Sequence, residues 1–192
     1  MSLLQIPKAA VYDLRSLDSL PEFKYFLDTN ILKFVFARTF VKEQSYQVIH
    51  YPAFFKKLIS QKKLLKFTFT QNLLELFSTL DYIERDYLNT PIKEYRRDNL
   101  QLYLDSRKNF FEEIEHSLQI LTIQITPPNI RGYFNLDFSI DMKDYIYSLH
   151  AKEPDTAFVT DDFEFTLIEG IRVFTANQRA IQAASRSKKL MN

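Results

Sequence analysis

The chain predicts an α/β fold: a three-layer arrangement with a central parallel sheet of about five strands and an extra helical segment at about 89–118. Three observations carry this. Short runs rich in Phe, Val, Ile and Leu recur at about 23–28, 65–70, 119–125, 156–160 and 171–174. Most of the stretches between them have apolar residues at helical spacing. No window reaches the ~18 uninterrupted apolar residues of a membrane span, so the sheet is expected to fold in water.

Residues 1–21 read as an irregular lead-in ending at Pro21, before strand one. A helix at about 30–41 follows, then a polar connection at 42–51. Pro52 suits the first turn of a helix to about 62, with Phe54, Phe55, Leu58 and Ile59 on one side. Leu65 to Thr70 alternates as a strand and leads into a helix with the stripe Leu73, Leu76, Phe77, Leu80, Ile83 and Tyr87. Ile92 to Leu118 has apolar positions at helical spacing amid dense charge, which reads as one long helix or a helix pair. Pro127 and Pro128 stop the third strand. A helix at about 139–152 has the stripe Met142, Tyr145, Ile146 and Leu149. A short helix separates strands four and five, and a basic tail at 177–192, with Arg179, Arg186, Lys188 and Lys189, reads as a fraying helix. The expected domain is therefore 22–176.

Composition narrows the chemistry. The 192 residues are 46% hydrophobic and 15% aromatic, with 18 Phe and 11 Tyr, enough for a substantial core. Cysteine is absent, which removes disulfides, thiolate metal sites and thiol nucleophiles and is compatible with a cytoplasmic protein. The N-terminus lacks the basic start and apolar core of a signal peptide. With only Gly132 and Gly170, neither a P-loop nor a dinucleotide fingerprint can be written. His50, His116 and His150 show no metal-ligand spacing. Catalysis, if present, rests on carboxylates, hydroxyls and cations. A formal charge of +1 leaves any attraction of polyanions to local patches.

Four acids then stand out. Asp28 ends strand one in Phe26-Leu27-Asp28-Thr29-Asn30, at the carboxyl edge where open α/β sheets place ligands. Glu75 lies five residues after Thr70, off the apolar stripe of its helix. Asp144 is early in the helix before strand four, also off the stripe. Asp162 follows strand four in Thr160-Asp161-Asp162. Each alone is ordinarily a helix cap or a solvated charge. Together they suit a hard divalent cation, Mg²⁺ or Mn²⁺, because clustered carboxylates repel and need a positive charge to remain ionised.

These segments, with Phe158-Val159-Thr160-x-Asp162-x-x-Phe165, resemble the PIN-domain family of metal-dependent ribonucleases, which includes the VapC-type toxins of toxin–antitoxin pairs. The resemblance covers about 23–175. It implies a PIN-like fold, an endoribonuclease activity and one or two Mg²⁺ or Mn²⁺ ions held by Asp28, Glu75, Asp144 and Asp162. Asn30 and Thr160 would orient these acids by hydrogen bonds. Asp161 is the alternative ligand at its turn, and Asp141, one helical turn before Asp144, either joins the site or serves the helix dipole. The chain departs from the family in the length of 89–118 and in the bulky Tyr145 and Tyr147. Lys56, Lys57, Arg96 and Arg97 are candidate RNA contacts, with solvated faces as the ordinary alternative. The implied partners are RNA, an antitoxin or regulatory protein, and a second copy in a dimer. A PIN-like binding module without catalysis, or a phosphohydrolase acting on small phosphoesters, are the alternative functions.

Overall fold

The computed structural model describes residues 6–37, 45–136 and 140–191, without the side chains of 86–88. One parallel sheet organises the chain. Its strands are β1 (Ala10–Asp13), β2 (Lys24–Leu27), β3 (Lys66–Phe69), β4 (Gln119–Leu121), β5 (Thr156–Val159), β6 (Arg172–Thr175) and β7 (Leu190–Met191). Their order is β4-β3-β2-β5-β6-β1-β7, and every pairing is parallel.

Alternation along the strands builds two cores. Tyr25 and Leu27 face one side, where α1 (Thr29–Phe36), α2 (Tyr46–Ser60) and α3 (Thr70–Leu88) contribute Ile31, Leu32, Tyr51, Phe54, Leu58, Leu76 and Leu80. Phe26 faces the other and packs on Phe69 and Phe158, with ring centroids 4.4 and 4.6 Å away. There α7 (Met142–Ala151) and α8 (Gln178–Arg186) cover the sheet with Ile146, Tyr147 and Ala184. The fold is thus α/β, with helices on both faces of the sheet. Among the described residues no helix is long and apolar enough to cross a membrane.

The expected strand count of about five becomes seven. β1 lies inside the supposed lead-in, paired along its length with β6. β7 lies inside the supposed fraying tail and adds to the other edge of β1. Both ends of the chain therefore belong to the sheet rather than flanking it. Four-residue β1 carries little pattern of its own, and it is its neighbours that fix it as a strand.

Other boundaries also moved. Helix α2 begins nearly two turns before Pro52, which stands inside it, because Tyr46, Gln47 and Tyr51 are held by bonds to Asp161 in the turn after β5. Segment 89–118 is a helix pair, α4 (Ile92–Asp98) and α5 (Leu100–Ser117), broken at Asn99. β4 stops at Leu121, and Pro127–Tyr133 forms a short α6 where only a strand stop was expected. Between β5 and β6, the expected short helix is a 3-10 turn at Phe163–Leu167. Residues 38–41 of the first expected helix, and Asp137 before α7, lie outside the described residues.

The topology positions the site. After β2 the chain moves to β3 on one side, whereas after β5 it moves to β6 on the other. The connections diverge beyond the carboxyl ends of adjacent β2 and β5, leaving the crevice in which such sheets bind ligands.

Candidate active site

Asp28 stands at that crevice and is 4% exposed. It caps α1, taking the Thr29 amide on Oδ1 at 2.7 Å. Its Oδ2 accepts Thr160 Oγ1 at 2.8 Å and Asn30 Nδ2 at 3.0 Å. Asn72, on the first turn of α3, reaches Oδ1 at 3.4 Å. A carboxyl so buried and so surrounded by donors exceeds what capping an eight-residue helix requires.

The other acids arrive on separate elements. The same Asn30 nitrogen lies 3.0 Å from Oδ2 of Asp162, and Thr160 Oγ1 accepts the Asp162 amide at 3.1 Å. Thr29 Oγ1 donates to Glu75 Oε2 at 2.8 Å, bringing α3 to the start of α1. Asp144, on the first turn of α7, acts electrostatically on Asp28 and is acted on by Asp162 and Glu75. Four distant segments thus bring Asp28, Glu75, Asp144 and Asp162 to one edge of the sheet.

The electrostatics show how crowded this edge is. Burial, then the charges of Asp162 and Asp144, push Asp28 up to about 8 against the bonds from Thr160 and Thr29. Asp144 is pushed up to about 7 by burial and by Asp141, with Lys143 pulling the other way. Asp162 is exposed as a residue, yet its carboxyl sits low enough that burial, Glu164 and Asp161 raise it, opposed by Asn30 and Lys143.

Lys143 brings a positive charge among these acids. Its Nζ lies 2.7 Å from Glu75 Oε2, each side chain a little over one-third exposed. Burial works against the ammonium, but the bond to Glu75 and the charges of Glu75, Asp144 and Asp141 outweigh it and raise its pKa. Lys143 was not among the residues expected at the site. Its position beside Asp144 was the available clue. Two further polar groups were missed. The Tyr147 phenol, 1% exposed, has no hydrogen-bond partner and feels the charges of Glu75, Asp28 and Asp144. Asn72 Oδ1 is likewise buried and unpaired. Tyr147 was expected only as a bulky departure from the family and not as a polar group of the site, because the buried face of α7 is Ile146, Tyr147, Ser148 and Ala151, with Met142 exposed, and of the expected stripe only Ile146 is buried.

The remaining candidates are accounted for. Asp161 does not join the acids: its carboxylate accepts Tyr51 Oη at 2.7 Å, Tyr46 Oη at 2.9 Å and Gln47 Nε2 at 3.2 Å. Asp141 caps α7, accepting the Asp144 amide at 2.8 Å. Lys57 donates to the Leu17 carbonyl, and Lys56 is exposed beside it. Both lie about 8 Å along α2 beyond Tyr51, on the way from the crevice. Arg96 pairs with Asp81 and Arg97 with Asp98. The four cations Lys56, Lys57, Arg96 and Arg97 therefore serve other contacts or stand apart, whereas Lys143 pairs with Glu75.

A hard divalent ion fits the donor set: four oxygen-bearing acids, of which Glu75 pairs with the Lys143 ammonium, beside a buried phenol and a carboxamide oxygen that lack partners among the described residues. Among the described residues, no group of three or more His, Cys, Asp or Glu is arranged to hold an ion as it stands. The fit is one of chemistry and convergence, with Glu75 engaged by Lys143.

Neither family models nor curated proteins match this sequence. A crystal structure of PAE2754 from Pyrobaculum aerophilum is similar over 90% of this chain and 96% of its own, at 13% identity and a TM-score of 0.46.

Proposed function

We propose that this chain is a Mg²⁺- or Mn²⁺-dependent endoribonuclease with a PIN-like fold, hydrolysing RNA phosphodiesters at the carboxyl edge of β2 and β5. The observation that carries this reading is the linkage of buried Asp28 to Asp162 through Asn30 and to Glu75 through Thr29. Asp28, Glu75, Asp144 and Asp162 would hold one or two ions, with Asn30 and Thr160 fixing carboxylate orientation. Bound there, the ion would supply activation of water and neutralise charge building on the phosphate. Lys143, paired with Glu75 and more than one-third exposed, would be free to meet a phosphate oxygen that the acids alone would repel. An antitoxin-like partner and a homodimer remain part of this reading.

The test is cleavage of structured and unstructured RNAs with Mg²⁺, Mn²⁺ or EDTA by wild type, Asp28→Asn and Asp162→Asn. Metal-dependent cleavage lost in both variants is expected, and equal cleavage by all three removes the catalytic claim. The Lys143–Glu75 pair favours a second reading, a PIN-like binding module in which the ammonium permanently occupies Glu75. It predicts no cleavage and no Mn²⁺-dependent rise in Tm. Turnover of chromogenic phosphoesters without RNA cleavage would instead mark a small-molecule phosphohydrolase.

A further inference from the structure

We propose that Glu75 is handed between two positioning residues, held by Lys143 when the cleft is free of metal and by the Tyr147 hydroxyl when an ion is bound. The proposal rests on the metal reading above and concerns residues to which that reading gives no such role.

Lys143 and Tyr147 lie four residues apart on α7, one turn of helix, so both side chains face the same neighbourhood. Lys143 binds Glu75 Oε2 at 2.7 Å, and that oxygen also accepts Thr29 Oγ1 at 2.8 Å. An ammonium on a four-carbon stem, more than one-third exposed, can leave without disturbing the core. Tyr147 is its opposite: 1% exposed and packed against Phe26 and Phe69, each with its ring centroid 5.7 Å away. Its phenol has no partner, and Glu75 is the foremost charge acting on it. A buried hydroxyl without an acceptor is costly, and this one sits one helical turn from the Lys143 that holds Glu75, so the carboxylate is the acceptor a second state can offer it. Carboxylates that ligate a metal are themselves held by outer hydrogen bonds, and a rigid phenol suits this role better than a mobile ammonium of the ion's own sign.

Mn²⁺ titration by calorimetry, together with Tm in EDTA, tests the exchange in the full chain. Lys143→Met removes a competitor, so its affinity for Mn²⁺ should tighten about three- to tenfold, the scale of a partly exposed ion pair. Tyr147→Phe removes a donor used only in the loaded state, so Mn²⁺ should bind about tenfold more weakly. The same Tyr147→Phe change should raise Tm in EDTA, because an unpaired buried hydroxyl is gone. A purely structural tyrosine gives the reverse: lower Tm and unchanged Mn²⁺ affinity. Equal affinities in wild type and both variants overturn the exchange while leaving the metal site standing. No Mn²⁺ binding by wild type overturns the site and the exchange together.

Discussion

Asn30 and Asp162, 132 residues apart in sequence, are joined by a hydrogen bond of 3.0 Å from the Asn30 amide. The same nitrogen lies 3.0 Å from Asp28, so one neutral donor stands between two carboxylates that repel each other. On its other side Asn30 accepts the Asp161 amide at 3.2 Å, which fixes the turn after β5. Asn30→Ala should leave the acids in place but loosely oriented, lowering metal-dependent cleavage about 10–100-fold. Asn30→Asp replaces the donor with another negative charge and should be worse still. Initial rates at saturating Mn²⁺, compared with Tm to confirm folding, check both expectations.

The raised acids make the ion-free protein sensitive to pH with a definite sign. Asp28 sits at about 8 in the fold against 3.8 as the ordinary value, and Asp144 at about 7. Between those limits the native state keeps protons that the unfolded chain has released. The stability these two acids contribute in EDTA is therefore fully present below about pH 4 and should be lost as pH rises to about 8, by an amount on the order of a few kcal/mol. Urea unfolding at several pH values measures the slope, which should flatten in Asp28→Asn. Mn²⁺ should oppose the loss at high pH by stabilising the ionised acids.

Asp161 distinguishes a neighbour of the site from a member of it. Its carboxylate gathers Tyr46, Gln47 and Tyr51, tying α2 to the turn that carries Asp162. Tyr51 is itself fully buried and also bonds Thr160 O and the Ala176 amide. Asp161→Ala should cost about 1–3 kcal/mol of stability through unpaired hydroxyls. The rise in Tm on adding Mn²⁺ should persist in this variant, as it should not in Asp144→Asn. A loss of the Mn²⁺ effect would return Asp161 to the ligand set.

The sequence made the architecture readable where a strand was a continuous apolar run. Tyr25, Phe26 and Leu27, and likewise Phe158 and Val159, lie in such runs, and the burial of successive residues on opposite faces of the sheet is what a parallel sheet demands. β1 and β7 had no comparable pattern, since Ala10–Asp13 and Leu190–Met191 become strands only by pairing. The four acids were legible because each followed a strand or lay off an apolar stripe. Lys143 and Tyr147 were not, because their meaning depends on which way α7 turns its faces. Helical periodicity placed Met142 inward and said nothing of Tyr147, whereas packing on Phe26 and Phe69 buried the tyrosine. The cations were the least legible, since a charge pattern does not reveal which carboxylate has already claimed an arginine.

Arg107 shows what such a claim is worth. On α5 it is 8% exposed, and it meets Glu84 with two nitrogens at 2.9 and 2.7 Å and Asp81 at 2.8 Å. Asp81 also takes Tyr103 Oη at 3.0 Å and pairs with Arg96, and both guanidinium groups lie over the Tyr103 ring. This network holds the helix pair of 89–118 against α3, from a point six residues beyond Glu75. Removing Arg107 leaves two partly buried carboxylates without their main cation, so Arg107→Ala should cost about 3–5 kcal/mol. Arg97→Ala, which breaks an exposed pair with Asp98, should change stability by less than about 1 kcal/mol. Because the network lies away from the acids, Mn²⁺ affinity per folded molecule should survive the Arg107 change. Urea unfolding with calorimetry below the transition measures the two effects separately. A large loss of Mn²⁺ affinity in a still-folded Arg107→Ala protein would show that the helix pair shapes the cleft instead of merely covering α3.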